Sequence, residues 1–188
     1  MTFLAILTLA FGLAVDATAV SATRGLAVPR VELRHVAVVA SFFGGFQALM
    51  PLLGYLAGSQ AGPAVADWDH WIAFGLLAAI GSKMLWEARK TAEPASVPKN
   101  PFGVSVMFPL AIATSIDAFA VGIALPMLNA PLALSMLTIG LVTAALSALG
   151  LYAGRRFGAL VGKHLEVVGG LTLIALGVKI LSEHLNAG

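Results

Sequence analysis

Two aspartates, Asp16 and Asp117, lie deep inside long apolar runs of this 188-residue chain. A carboxylate at the centre of a membrane helix costs about 2.5 to 3.5 kcal/mol on insertion scales, so the pair costs roughly 5 to 7 kcal/mol. No Lys or Arg stands one helical turn from either to offset that cost. Such groups persist in lipid when they are paired, protonated or bound to something positive, and they mark functional sites by default. At helical spacing, Gly12, Ala19 and Thr23 share the face of Asp16, while Ala113, Thr114, Ala120 and Ala124 share that of Asp117. Small residues allow helices to approach closely, so one site can draw on both carboxylates. Carboxylate, hydroxyl and carbonyl oxygens suit hard cations such as Mg²⁺, Ca²⁺ or Mn²⁺. The chain has no cysteine, and His35, His70, His164 and His184 all fall at the ends of apolar runs, which argues against a thiolate or imidazole site.

A second polar feature lies nearby in sequence. Pro51 removes the helical hydrogen bond to the carbonyl of residue 47, and residue 47 is Gln47, itself a polar group in an apolar run. One reading makes a freed carbonyl and the Gln47 amide oxygen ligands of an ion, as in broken transporter helices. The other makes Pro51 a bend and Gln47 a hydrogen bond to a neighbouring helix. Asp16, Asp117, Gln47 and Thr114 are therefore the candidate metal ligands. The alternative role for the aspartates is to cap helix breaks or to stabilise packing.

These residues must be positioned by membrane helices. The chain is 59% hydrophobic and 11% charged, against roughly 25% charged in a soluble domain, and its mean hydropathy is +0.94. Six apolar runs, Thr2–Ala22, His35–Gly58, His70–Glu87, Phe102–Met127, Leu132–Gly154 and His164–His184, each approach the length of a spanning helix. None alternates polar and apolar residues as a barrel strand would. The first run lacks the basic leader of a signal peptide and holds Asp16, so it reads as a span. The expectation is a single all-α transmembrane domain over residues 1–188, with lipid as its solvent. Nothing in it resembles the basic, aromatic surface of a nucleic-acid binder. A homo-oligomer is compatible with the sequence, which does not decide it.

Charge sets the orientation. The loops after runs one, three and five hold Arg24, Arg30, Arg34, Arg89, Lys90, Lys99, Arg155, Arg156 and Lys163, whereas Ser59–Asp69 and Leu128–Pro131 hold no Lys or Arg. The positive-inside rule places those basic loops in the cytoplasm and both termini outside. Lys83 with Glu87 and Lys179 with Glu183 read as snorkelling pairs at span ends, and Trp68, Trp71 and Trp86 as interfacial anchors. Asp67 and Asp69 read as a solvated turn on the outer face.

The chain also repeats. Ala14-Val-Asp-Ala-Thr-Ala-Val-Ser21 aligns with Ser115-Ile-Asp-Ala-Phe-Ala-Val-Gly122, placing Asp16 opposite Asp117. Leu53, Gly54, Ala57 and Gly58 match Leu149, Gly150, Ala153 and Gly154, and Gly81-Ser-Lys-Met-Leu-Trp-Glu87 matches Gly177-Val-Lys-Ile-Leu-Ser-Glu183. Residues 1–87 and 102–188 thus form two three-helix repeats joined by a linker over 88–101. Three spans per half is an odd number, so the repeats are inverted, the plan of many secondary transporters.

Four stretches carry a resemblance: Phe11-Gly-Leu-Ala-Val-Asp-Ala-Thr-Ala-Val20, Gly45-Phe-Gln-Ala-Leu-Met-Pro-Leu-Leu-Gly54, His70-Trp-Ile-Ala-Phe-Gly-Leu-Leu-Ala-Ala-Ile-Gly81 and Ala113-Thr-Ser-Ile-Asp-Ala-Phe-Ala-Val-Gly122. In that order they resemble the MntP manganese efflux pumps over essentially the whole chain. The resemblance implies a multi-pass protein of the bacterial inner membrane that exports Mn²⁺, with Asp16 and Asp117 as the two motif aspartates. Some members carry an acidic residue where Gln47 stands, so the resemblance does not supply a third carboxylate here. The resemblance implies that manganese is the transported substrate, and no cofactor is expected. Export against the membrane potential costs about 2.3 kcal/mol per charge per 100 mV, roughly 4.6 for a divalent ion. No Walker A sequence is present, so alternating access coupled to protons is the expected mechanism. An exporter of amino acids or other small organic cations is the rival function, with the aspartates holding an ammonium group. A non-transporting membrane scaffold is a further alternative. An enzyme is not expected, because the spans contain no nucleophile–base set.

Overall fold

The computed structural model describes residues 2–59, 100–126 and 130–157, with helical positions scattered between 74 and 86 and between 167 and 182. Regular structure among the described residues is helical throughout. Four helices are long and apolar enough to cross a membrane: Phe3–Leu26, Leu33–Ser59, Val104–Ala124 and Leu132–Phe157. They coincide with the first, second, fourth and fifth expected spans. The third and sixth spans lie outside the continuously described residues, as do most of the linker, Trp68 and Trp71, and the Lys–Glu pairs at the span ends.

The first helix, α1 (Phe3–Leu26), starts at Thr2, whose hydroxyl accepts the Ala5 N–H at 3.3 Å. That bond satisfies one of the N-terminal donors that a helix leaves open. The short loop that follows is tied down by Arg155, whose Nε donates to the Pro29 carbonyl at 2.9 Å. Helix α2 (Leu33–Val39) then begins with a reciprocal cap between Glu32 and His35. The Glu32 N–H donates to His35 Nδ1 at 3.2 Å, and the His35 ring stacks on Phe102, with centroids 4.3 Å apart. His35 is thus occupied in holding the start of the second span against the start of the fourth.

The second span is not uniform. A π-helical turn over Ala40–Gly44 separates α2 from α3 (Gly45–Ser59). His35, Val39, Phe43, Gln47 and Pro51 are all buried at four-residue spacing. On an α-helix such a row drifts about 40° per step. The wider π turn removes part of that drift and keeps Phe43 and Gln47 both facing inward.

The fourth span is interrupted. Helix α4 (Val104–Thr114) ends where Ser115 leaves helical geometry at φ −112° and ψ 6°, and α5 (Ile116–Ala124) restarts directly. Asp117 falls in the first turn of α5. The fifth span is the single helix α6 (Leu132–Phe157).

Glycines set the packing. The most extensive contact joins α1 to α6. There the Gly150 Cα faces the Thr18 carbonyl, Gly154 faces the Ala22 carbonyl and Gly25 faces the Leu151 carbonyl. Contact advances in the same direction along both helices, so they run parallel. In the same way Gly54 and Gly58 on α3 face the Phe119 and Ile123 carbonyls on α5, again in parallel. The second and fifth spans run antiparallel and cross where Gly44 meets Gly140. Small residues at crossings are what membrane helices need, since lipid offers no hydrophobic drive for their association. Large apolar side chains such as Leu4, Phe11, Leu137, Leu141 and Leu149 point outward instead.

The crossing makes a sharp prediction. A Cβ on Gly44 would lie 2.8 Å from the Ala144 Cβ and 2.9 Å from the Gly140 carbonyl, whereas one on Gly45 would meet nothing within 4 Å. Gly44→Ala should cost about 1 to 3 kcal/mol through overpacking, and Gly45→Ala should be neutral or mildly stabilising, as in helices generally. Thermal unfolding in detergent distinguishes the two; equal melting temperatures would refute the assigned crossing.

Candidate functional site

Two apolar clusters bracket a polar layer. One contains Leu9, Leu13, Val121, Leu125 and Ile139. The other contains Ala17, Val39, Phe43, Met107, Ala111 and Leu151. Each described span passes from one cluster to the other, and buried polar residues fall in between. On α3 that residue is Gln47, following Phe43; on the fourth span they are Thr114, Ser115 and Asp117, following Ala111. On α6 they are Thr143 and Ser147, between Ile139 and Leu151. Asp16 lies on α1 between Leu13 and Ala17 and is partly buried.

Gln47 is the centre of the layer. It is 0% exposed, and its Nε2 donates to the Thr114 carbonyl at 2.8 Å and to the Leu13 carbonyl at 3.3 Å. Two carbonyl acceptors require the amide nitrogen on that side, which directs Oε1 the other way. Oε1 is buried with no hydrogen-bond partner among the described residues. The two readings of Gln47 are thereby divided between its atoms: the nitrogen joins helices, and the oxygen remains a potential ligand. Pro51 sits within a continuous α3.

The break before α5 explains the setting of Asp117. Thr114 ends α4, and its carbonyl turns to Gln47. Its hydroxyl donates to the Ala111 carbonyl at 3.3 Å, and Ser115 Oγ donates to the same carbonyl at 2.6 Å. Asp117 is 5% exposed, and its Oδ1 accepts the Ala118 N–H at 2.8 Å. A carboxylate in the first turn of a helix is favoured by the positive end of the backbone dipole. Asp16 has no such break, since α1 is continuous. Both aspartates stand three residues, nearly one turn, beyond a carbonyl that Gln47 holds: Asp16 beyond Leu13, Asp117 beyond Thr114.

Of the four sequence candidates, the structure joins Gln47 to Thr114 directly and sets Asp16 and Asp117 one turn from that junction. Among the described residues no three His, Asp or Glu side chains converge to hold a metal. Among the described residues, the further oxygens this layer offers are those of hydroxyls, amides and carbonyls. Sequence reasoning did not single out the Leu13 carbonyl, Thr143 or Ser147. The carbonyl has no signature in the sequence, but the two hydroxyls were accessible by extending the Gly54–Gly150 alignment back one and two turns, where Pro51 meets Ser147 and Gln47 meets Thr143.

The spans and the buried acidic layer define a multi-pass membrane protein, and comparison with known sequences identifies its kind. Residues 30–181 match the Mntp family, described as "Putative manganese efflux pump". A relative named "Putative manganese efflux pump MntP" from Sorangium cellulosum is 64% identical, covering 98% of each chain. Relatives of the same name from Methanosarcina mazei and Gloeothece citriformis are 46% and 44% identical, covering 99% and 95% of this chain and 99% and 94% of their own. The chain belongs to the MntP family of manganese efflux pumps. No solved structure matches it.

The Gln47 junction can be tested by itself. Gln47→Met keeps the shape but removes the hydrogen bonds to the Leu13 and Thr114 carbonyls, a loss of about 1 to 3 kcal/mol. The melting temperature in detergent without metal should fall accordingly; an unchanged value would mean that the amide does not hold the two spans together.

Proposed function

We propose that this chain exports Mn²⁺ from the cytoplasm across the bacterial inner membrane, with Asp16 and Asp117 carrying the ion. The observation that carries this reading is the placement of both aspartates one turn beyond the two carbonyls bridged by Gln47, in a layer closed by apolar clusters on either side. The names of the relatives favour manganese over an organic cation, and oxygen ligands without sulfur or imidazole suit it. A divalent ion entering this layer sheds water and gains two negative charges in exchange.

The contacts also support two inverted repeats. In the alignment, Thr18 corresponds to Phe119 and Ala22 to Ile123, while Gly54 corresponds to Gly150 and Gly58 to Gly154. The packing obeys the same correspondence: Gly150 on Thr18 repeats Gly54 on Phe119, and Gly154 on Ala22 repeats Gly58 on Ile123. Gly44 and Gly140 are equivalent and touch one another, as residues on a twofold axis must. The acceptors of Gln47, Leu13 and Thr114, are equivalent as well. Rocking of the helices about the layer would open either apolar cluster while the other stays shut, which is alternating access. Protons replacing the metal on the carboxylates would provide the coupling that export against the potential requires.

Cells expressing the wild type should tolerate manganese, whereas Asp16→Asn and Asp117→Asn should each abolish that protection. In everted vesicles the wild type should accumulate Mn²⁺ in response to a pH gradient. Equal protection by all three proteins would discard the site, and uptake indifferent to the gradient would discard proton coupling.

The orientation places the loop around Arg34 in the cytoplasm, with both termini in the periplasm. Because the chain has no cysteine, single substitutions report without background. A membrane-impermeant maleimide added to intact spheroplasts should label Ser59→Cys and spare Arg34→Cys. The reverse pattern would invert the topology.

A further inference from the structure

The buried hydroxyls among the described residues fall into two groups. Thr18, Ser21, Thr114, Ser115 and Ser135 each donate to a carbonyl three or four residues earlier, at 2.6 to 3.3 Å. That is the usual resort of a hydroxyl on an apolar helix. Thr143 and Ser147 do not. Both are 0% exposed, and neither Thr143 Oγ1 nor Ser147 Oγ has a hydrogen-bond partner among the described residues. Each forgoes the carbonyl of its own helix, although a buried hydroxyl left unsatisfied is costly.

Their position indicates what they face. On α6 they lie between Ile139 of one apolar cluster and Leu151 of the other, at the depth of Gln47 and the aspartates. Around the helix Ser147 falls between the Gly140–Ala144 side, which meets the second span, and the Gly150–Gly154 side, which meets α1, and Thr143 falls on the latter. In the repeat alignment Thr143 is the counterpart of Gln47. The two carbonyls held by Gln47, those of Leu13 and Thr114, exchange places under the same correspondence. A residue at position 143 therefore approaches that pair from the opposite side. The Gln side chain is long enough to reach the carbonyls, whereas the shorter Thr side chain makes no hydrogen bond to them.

We infer that Thr143 and Ser147 contribute neutral oxygen ligands to the divalent cation from the fifth span, completing a site whose charge comes from Asp16 and Asp117. This inference rests on the paired-aspartate reading. With two carboxylates, the Gln47 amide oxygen and two hydroxyls, the layer offers a hard ion such as Mn²⁺ the oxygen set that replaces its hydration shell. The hydroxyls add no charge, so they favour binding of the ion without preventing its release.

Purified full-length protein in detergent, titrated with MnCl₂ and followed by thermal shift, tests this. Thr143→Val and Ser147→Ala remove hydroxyls without a partner, so melting temperature in the absence of metal should hold or rise. The Mn²⁺ concentration needed for stabilisation should rise by about tenfold or more, the scale on which supporting ligands act. Thr143→Ser, which restores the oxygen, should bind as the wild type does. Asp16→Asn supplies the control. If it abolishes the Mn²⁺ response while Thr143→Val and Ser147→Ala keep it in full, the aspartate site stands and this inference falls. A fall in metal-free stability with unchanged Mn²⁺ dependence would likewise overturn it, since the hydroxyls would then be structural. If Asp16→Asn also responds as the wild type does, both readings fail.

Discussion

Direct contact of backbone with backbone is the constraint on which the remaining packing rests. At Gly54, Gly58, Gly150 and Gly154 a glycine of one helix lies against a carbonyl of the next, with no side chain between them. Water cannot drive helices together inside a bilayer, so close van der Waals contact has to do so. Those contacts fix α1 beside α6 and α3 beside α5. They also leave α1 and the fourth span near enough for one glutamine amide to reach a carbonyl of each.

The polar layer follows from this closeness. Charged and amide groups survive at membrane depth only among other polar groups or beside an ion. Here a break at Ser115 exposes a carbonyl, Gln47 takes it up, and Asp117 gains the N-terminal turn of a new helix. A π turn upstream keeps Gln47 pointing inward. Local departures from regular helix thus cluster around the buried polar residues, a pattern common at functional sites. Among the described residues, apolar clusters flank the layer on either side.

Much of this was legible in the sequence, for physical reasons. Spans are long because lipid demands internally satisfied backbone, and Asp16 and Asp117 stand out because a carboxylate in an apolar run is expensive. The boundaries of the first, second, fourth and fifth spans came within a few residues of the helices. The π turn at Ala40–Gly44 was not legible, since it corrects a drift that only three-dimensional packing reveals. Nor was the break at Ser115, where a Thr-Ser pair within an apolar run resembles ordinary helix. Thr143 and Ser147 escaped notice because hydroxyls cost little in hydropathy and can usually bond to their own helix. Gln47 was identified, but the division of labour between its nitrogen and oxygen needed coordinates.

The glycine contacts have a mechanical consequence. Helices that touch through bare backbone have no layer of side chains to shear, so each parallel couple, α1 with α6 and α3 with α5, behaves as one stiff member. The least costly relative motion between the couples lies where they meet, at the Gly44–Gly140 crossing, whose surfaces are almost smooth. A crossing of this kind can serve as a pivot, permitting rotation while resisting separation. The Gln47 amide, on the α3 side of that pivot, reaches a carbonyl of each couple, Leu13 on α1 and Thr114 just before α5. It spans the joint like a latch, so any turning of the couples must stretch or exchange its hydrogen bond to Leu13.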